Sequence, residues 1–368
     1  MIIGVLREIK NKENRVGMVI AGVRTLTQSG HKVLVQLNAG AGVGISNEDY
    51  RRAGATIIES SKEIYEKADM IVKVKEPLPE EYPLLREGQI LYTYLHLAAD
   101  ERLAKALMER KIVGIAYETI QTHDGALPLL APMSAVAGRM ATQIGATYLQ
   151  HDHGGKGILL GGVTGVERAR VVVLGGGVVG VNAAKMAAGL GAKVTIMDVN
   201  VARLDYLADI FGSDVSTLYS NSEQIERTVT RADLVIGAVL VPGAKAPKLV
   251  TREMVSKMQP GSVIVDVSVD QGGTVETCRP TSHEHPTYTV DGVIHYAVPN
   301  MPGAVPRTST YALTNVTLKY ALMIANLGWK EAVSRDEALS RGVNILNGKV
   351  AYKQVADDLG LPFEAVRV

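Results

Sequence analysis

The chain has 368 residues, which excludes a single small module and suits two domains or possibly three at roughly 100 to 200 residues each. Hydrophobic residues make up 46% and charged ones 21%, and 39 Lys and Arg stand against 38 Asp and Glu, so no basic footprint exists for nucleic acid or an anionic membrane. The expected partners are small molecules and further copies of the chain, and one cysteine, Cys278, excludes an intramolecular disulfide and suits a reducing, cytoplasmic setting.

Residues 1–8 (MIIGVLRE) read as a first strand, because charges come too early for a signal peptide. A helix-like stretch leads into a strand at 32–35, residues 70–74 (MIVKV) form another, and residues 90–96 (ILYTYLH) alternate. That alternation predicts Tyr92, Tyr94 and His96 on one face of a strand. Turn-rich segments at 127–132 and 299–306 are predicted to bound a second α/β unit. Within it, the strand at 170–174 runs into Gly175-Gly176-Gly177-Val178-Val179-Gly180 and then a helix-forming run.

A G-x-G-x-x-G turn between strand and helix is the dinucleotide-binding arrangement. Gly175 permits the tight turn, Gly177 lets the backbone approach a pyrophosphate, Gly180 lets helix close on strand, and the helix start offers N–H groups to the phosphates. The next strand ends at Asp198, where a carboxylate grips the adenosine ribose and repels a 2′-phosphate. NAD is therefore predicted over NADP, a preference that Arg203 weakens slightly. The alternative is a glycine-rich turn with Asp198 as a cap.

Later strands, at 234–239, 262–267 and 295–298, are predicted to bring Val239, Leu240, Val267, Ser268, Val269, Asp270, Val298, Asn300 and Met301 to the cofactor. Beyond Arg307 the apolar spacing predicts a long helix ending near Gly328. The expected fold is α/β, with two Rossmann-like doubly wound parallel-sheet domains. An NAD domain, 129–306, is inserted into a discontinuous substrate domain, 1–128 and 307–368, and the two crossings are candidate hinges.

Hydride-transfer chemistry needs a cation for a substrate carboxylate, a group to polarise a carbonyl and a proton donor and acceptor. Arg15, in a polar loop, has the fork for a carboxylate; the alternative is a solvated arginine. Lys75 projects from a strand end stopped by Pro77, or serves as an edge lysine. His96 is the acid/base candidate, against a structural histidine, and Asp270 reaches the cofactor cleft, against a turn cap. His151, His153, His283 and His285 form i, i+2 pairs with no third ligand, so no metal is expected.

GVLREIKNKENRV at 4–16, VKEP at 74–77, TYLHLA at 93–98, LPLLAPMSAVAGRMA at 127–141, the glycine turn, GAVLVPGAKAP at 237–247, VDVSVDQGGTVET at 265–277 and NMPGAVPRTST at 300–310 together resemble the alanine dehydrogenase family over essentially the whole chain. The resemblance implies reversible oxidative deamination of L-alanine to pyruvate and ammonium with NAD, in a cytosolic homohexamer. It implies Arg15 and Lys75 for substrate binding and His96 and Asp270 for acid/base work. For NAD contacts it implies Ser134, Val178, Val179, Asp198, Arg203, Ser220, Val239, Leu240, Val267 to Asp270, Arg279, Val298, Pro299, Asn300 and Met301. Met18 and Ile20 depart from a more usual Thr and Pro, and Pro299 from a common Ala. The rivals are the NAD-binding subunit of a proton-translocating transhydrogenase, a saccharopine dehydrogenase-like enzyme and a non-catalytic NAD sensor.

Overall fold

The computed structural model describes residues 1–239 and 246–366. The chain divides into two compact units, Met1–Met133 with Val305–Val368, and Ser134–Ala304. In unit 1 the strands are β1 (Ile2–Val5), β2 (Lys32–Gln36), β3 (Thr56–Ile58), β4 (Met70–Val72), β5 (Ile90–Thr93) and β6 (Val113–Ala116). Unit 2 contributes β7 (Arg170–Leu174), β8 (Lys193–Asp198), β9 (Val215–Tyr219), β10 (Leu234–Gly237), β11 (Val263–Asp266), β12 (Thr287–Val290) and β13 (Val293–Tyr296). The chain then returns to unit 1 with β14 (Val343–Leu346) and β15 (Lys349–Val350).

The unit 1 sheet runs β3-β2-β1-β4-β5-β6-β14-β15, the first six parallel, β14 antiparallel to β6 and β15 antiparallel to β14. Unit 2 runs β9-β8-β7-β10-β11-β13-β12, parallel except for β12. Counting only parallel strands, each unit has the 3-2-1-4-5-6 order of a doubly wound fold, which reverses direction beside its first strand. Runs such as VVVL in β7 and VIVD in β11 lack polar alternation because both faces are covered. Leu6, Ile71, Leu91, Leu103 and Ile345 centre the core of unit 1, and Val172, Leu174, Val235 and Ile264 that of unit 2. Each such side chain contributes about 1.5 to 3 kcal/mol by burial.

Several element boundaries differ from the sequence reading, for local reasons. The helix Ala131–Tyr148 starts inside the segment read as a turn, because Pro132 lies in its first turn, where no intrahelical N–H bond is lost. The chain passes between the two compact units at 133/134 and 304/305. β5 ends at Thr93, and β13 starts two residues earlier than expected. Asp291 and Gly292, with φ of 50° and 80°, form a two-residue turn closed by the Val290–Val293 pair. His295 is therefore mid-strand and fully buried, instead of starting a strand.

Candidate functional site

In unit 1 the parallel strands β1, β4, β5 and β6 end at one edge of the sheet, and the segments that follow them carry Arg15, Lys75, His96 and Glu118. Arg15 is not a solvated loop residue: it is 2% exposed. Its Nε donates to Glu13 Oε1 at 2.7 Å and its Nη2 to Glu13 Oε2 at 2.5 Å, a bidentate pair. Its Nη1 lies 3.2 Å from Met133 Sδ. One edge of the guanidinium fork is thus committed to holding Arg15 in place.

Lys75 follows β4. Burial pushes its ammonium pKa down, as do the charges of Arg15 and Lys10, while Glu76 opposes them. Its amide donates to Glu8 Oε1 at 3.3 Å, beside that of Val74 at 2.6 Å. The other Glu8 oxygen pairs with Lys73 Nζ at 3.2 Å, and Lys73 Nζ also lies 2.9 Å from Glu81 Oε1, which accepts from Tyr65 at 2.9 Å. Lys73 is 0% exposed, and Glu8 and Glu81 are nearly so. This internal cluster was not found from the sequence, because its charges are brought together from distant positions.

His96 lies beyond the end of β5 in the left-handed region, with φ 48° and ψ 39°. For a residue with a Cβ this costs about 1 to 3 kcal/mol. Its imidazole stacks on Tyr94, centroids 5.5 Å apart and planes 3° apart, and Tyr94 is anchored by its hydroxyl on Leu129 O at 2.7 Å. Tyr92 and Tyr94 both meet the Tyr117 ring edge-on. The shared face expected of Tyr92, Tyr94 and His96 is thus a tyrosine cluster with the histidine turned out to its rim, its side chain 42% exposed.

In unit 2 the strands also present their carboxyl ends along one edge. Gly175 has φ 104°, and a Cβ there would meet Ala238 O at 2.8 Å; a Cβ on Gly180 would meet Gly175 O at 1.8 Å. A Cβ on Gly177 would meet nothing of the protein within 4 Å. The helix Val178–Gly189 starts on Gly177 with no side-chain cap, whereas Val201–Phe211, Ser222–Val229 and Arg252–Ser256 are capped by Asn200, Asn221 and Thr251. Uncapped N–H groups next to open space fit a bound phosphate.

Hydrogen bonds join several of the other positions in separate groups. Asp198 Oδ2 accepts from Gly176 N–H at 2.7 Å, and Arg203 Nε donates to Gly176 O at 2.7 Å. Ser220 N–H donates to Asp198 O at 2.9 Å. Ser268 Oγ donates to Val239 O at 2.7 Å, and Asn300 N–H lies 3.5 Å from Asp270 Oδ2. Val267–Gln271 form a 3-10 turn, with Ser268 and Val269 buried and Asp270 exposed.

Val298 and Met301 are buried, Pro299 and Asn300 half-buried, and Asn300 is left-handed at φ 55°. Val178 is exposed and Val179 buried. Ser134 lies in the first turns of Ala131–Tyr148, half-buried. Arg279 holds its guanidinium 4.3 Å over the Tyr288 ring. Leu240 falls outside the described residues. Among the described residues no group of three His, Cys, Asp or Glu could hold a metal ion, and no helix is long and apolar enough to cross a membrane.

Asp266, fully buried at the end of β11, was missed by the sequence reading in favour of its neighbour Asp270. It accepts from the amides of Ser268, Thr274 and Val275 at 3.1, 2.7 and 3.1 Å and so shapes the turn that bears Asp270. Glu118 was also missed. A lone glutamate after a strand carries no periodic signal.

The model of the alanine dehydrogenase/PNT N-terminal domain matches residues 4–137, and that of the C-terminal domain residues 141–353. An alanine dehydrogenase of Methanococcus maripaludis is 61% identical over 364 residues, covering 99% of this chain and 98% of the relative. One of Bacillus subtilis is 59% identical over 364 residues, covering 99% and 96%. A solved L-alanine dehydrogenase superimposes with a TM-score of 0.95 at 54% identity, covering 98% of this chain and 99% of the other. A transhydrogenase from Sinorhizobium meliloti, at 24% identity and a TM-score of 0.81 over 96% and 99%, shares the fold.

Proposed function

The chain belongs to the alanine dehydrogenase/PNT family, and from that premise we infer that it catalyses the NAD-dependent, reversible oxidative deamination of L-alanine. L-alanine, NAD and water give pyruvate, ammonium, NADH and a proton. The observation that carries the reading is 61% identity to an alanine dehydrogenase over 99% of the chain. A transhydrogenase role is not favoured, since that likeness is one of fold alone.

NAD, when bound, accepts the hydride from the α-carbon and in reverse NADH returns it. The uncapped start of Val178–Gly189 and the open space at Gly177 support a pyrophosphate there, with Asp198 toward the ribose and the 239, 267–270 and 298–301 loops toward the nicotinamide. In the amination direction Arg15 binds the pyruvate carboxylate and Lys75 polarises the keto oxygen. A lowered ammonium pKa makes Lys75 a better hydrogen-bond donor to that oxygen. Ammonia adds, and His96 protonates the departing hydroxyl to leave an iminium carbon. Asp270 orients the nitrogen and helps seat the nicotinamide. The reaction requires the hydride donor and acceptor carbons within about 3 to 3.5 Å, with water excluded.

The test is NADH formation from L-alanine and NAD, beside parallel assays with saccharopine and with NADP. L-alanine with NAD is the expected pair, and no NADH from L-alanine overturns the reading. The family resemblance also supports a cytoplasmic homohexamer, which light scattering at six times the 39.3 kDa chain mass checks.

A further inference from the structure

We propose that Glu118 is a positioning residue for His96, holding the left-handed turn that aims the imidazole. This rests on the reading of His96 as the acid/base group. Glu118 lies in the 3-10 turn Tyr117–Thr119 that follows β6, the neighbour of β5 in the unit 1 sheet. Its carboxylate accepts from two consecutive amides across that strand gap. Leu95 N–H reaches Oε1 at 3.1 Å and Oε2 at 3.3 Å, and His96 N–H reaches Oε1 at 2.6 Å. The Glu118 side chain is 13% exposed, so these charge-assisted bonds are shielded from water.

The geometry explains how a histidine keeps a backbone conformation that costs free energy. Once the chain passes Thr93 it leaves the ladder, and the Leu95 and His96 amides no longer face a neighbouring strand. Glu118 supplies the acceptor that β6 does not. With the main chain fixed by Glu118 and the ring plane fixed by the Tyr94 stack, the imidazole has little freedom left. Glu118 Oε1 is 3.9 Å from His96 Nδ1, beyond a direct hydrogen bond, so its hold is on the backbone.

The experiment compares Glu118→Ala and Glu118→Gln with wild type, reading kcat and KM for pyruvate, the NADH dissociation constant and the melting temperature. Gln retains one acceptor oxygen, so it is expected to keep most of the turnover. Ala is expected to lose about tenfold to a hundredfold in kcat while KM and NADH affinity change by less than about threefold. On a His96→Ala background, single-turnover hydride transfer is expected to be slowed no further by Glu118→Ala. Wild-type kcat in Glu118→Ala, equal damage from Gln and Ala, or full additivity with His96→Ala overturns the proposal. A wild-type protein inactive on L-alanine overturns the functional reading instead.

Discussion

The two units share one strand order and treat the place where that order reverses in opposite ways. In unit 2 the turn after β7 is glycine, and the helix after it begins within four residues on an uncapped N-terminus. In unit 1 the position after β1 is the buried Leu6, and the first helix, Ile20–Gln28, is delayed by a long loop. That loop sends Glu8 inward onto the Val74 and Lys75 amides and onto Lys73, and pairs Glu13 with Arg15. Unit 2 leaves backbone donors uncapped beside open space; unit 1 supplies an anion from its own chain. A fold thus sets where a site forms, while the first loop decides whether it presents backbone donors or orients side chains.

The largest effect that sharpens this comparison is expected in unit 1. His96→Ala should lose about 10²- to 10⁴-fold in kcat while NADH titration shows unchanged affinity, because the mechanism proposed above gives His96 proton transfer and no cofactor contact. Lost NADH binding in that variant breaks the division of labour. Next is Lys73→Met, which strands the buried Glu8 and Glu81 carboxylates. It should cost about 3 to 5 kcal/mol in denaturant unfolding. A stability equal to wild type means the cluster does not hold unit 1 together.

Gly177→Ala probes the other unit. Since the added Cβ meets no protein atom, stability should stay put while NADH binding weakens about tenfold, near 1.4 kcal/mol. Gly180→Ala should damage both, because its Cβ strikes the Gly175 carbonyl. Equal behaviour of the two variants would remove the case for a ligand at Gly177.

The smallest expected effect is in pH dependence. Burial lowers the pKa of His295 below its ordinary 6.5, so the unfolded chain binds the proton more readily. The resulting stability is present above pH 6.5 and is lost as pH falls below it, and His295→Gln should flatten that slope by about 1 kcal/mol or less. In unit 1 the sign is reversed for Glu8, whose pKa burial raises above 4.5. The folded state keeps a proton the unfolded chain releases, so stability declines as pH rises from 4.5. Melting curves across pH for the wild type, His295→Gln and Glu8→Gln distinguish the two.

Local pattern made much of this legible. The glycine turn between strand and helix, the carboxylate ending the next strand and the long helix Pro306–Leu327 are each written within a short window of chain. The Asp291-Gly292 hairpin was equally local and was overlooked, which displaced β13 and with it the reading of His295.

What the sequence determined by itself was therefore the α/β class, the family and the order of elements, because periodicity, turn chemistry and shared motifs act between near neighbours in the chain. Which charges meet was decided only in three dimensions. Glu8 joins Lys73 and Glu81 because β1 lies beside β4, and Glu118 reaches His96 because β6 lies beside β5. Buried carboxylates and cations find partners through strand adjacency, and adjacency is a property of the assembled sheet that no short stretch of sequence contains.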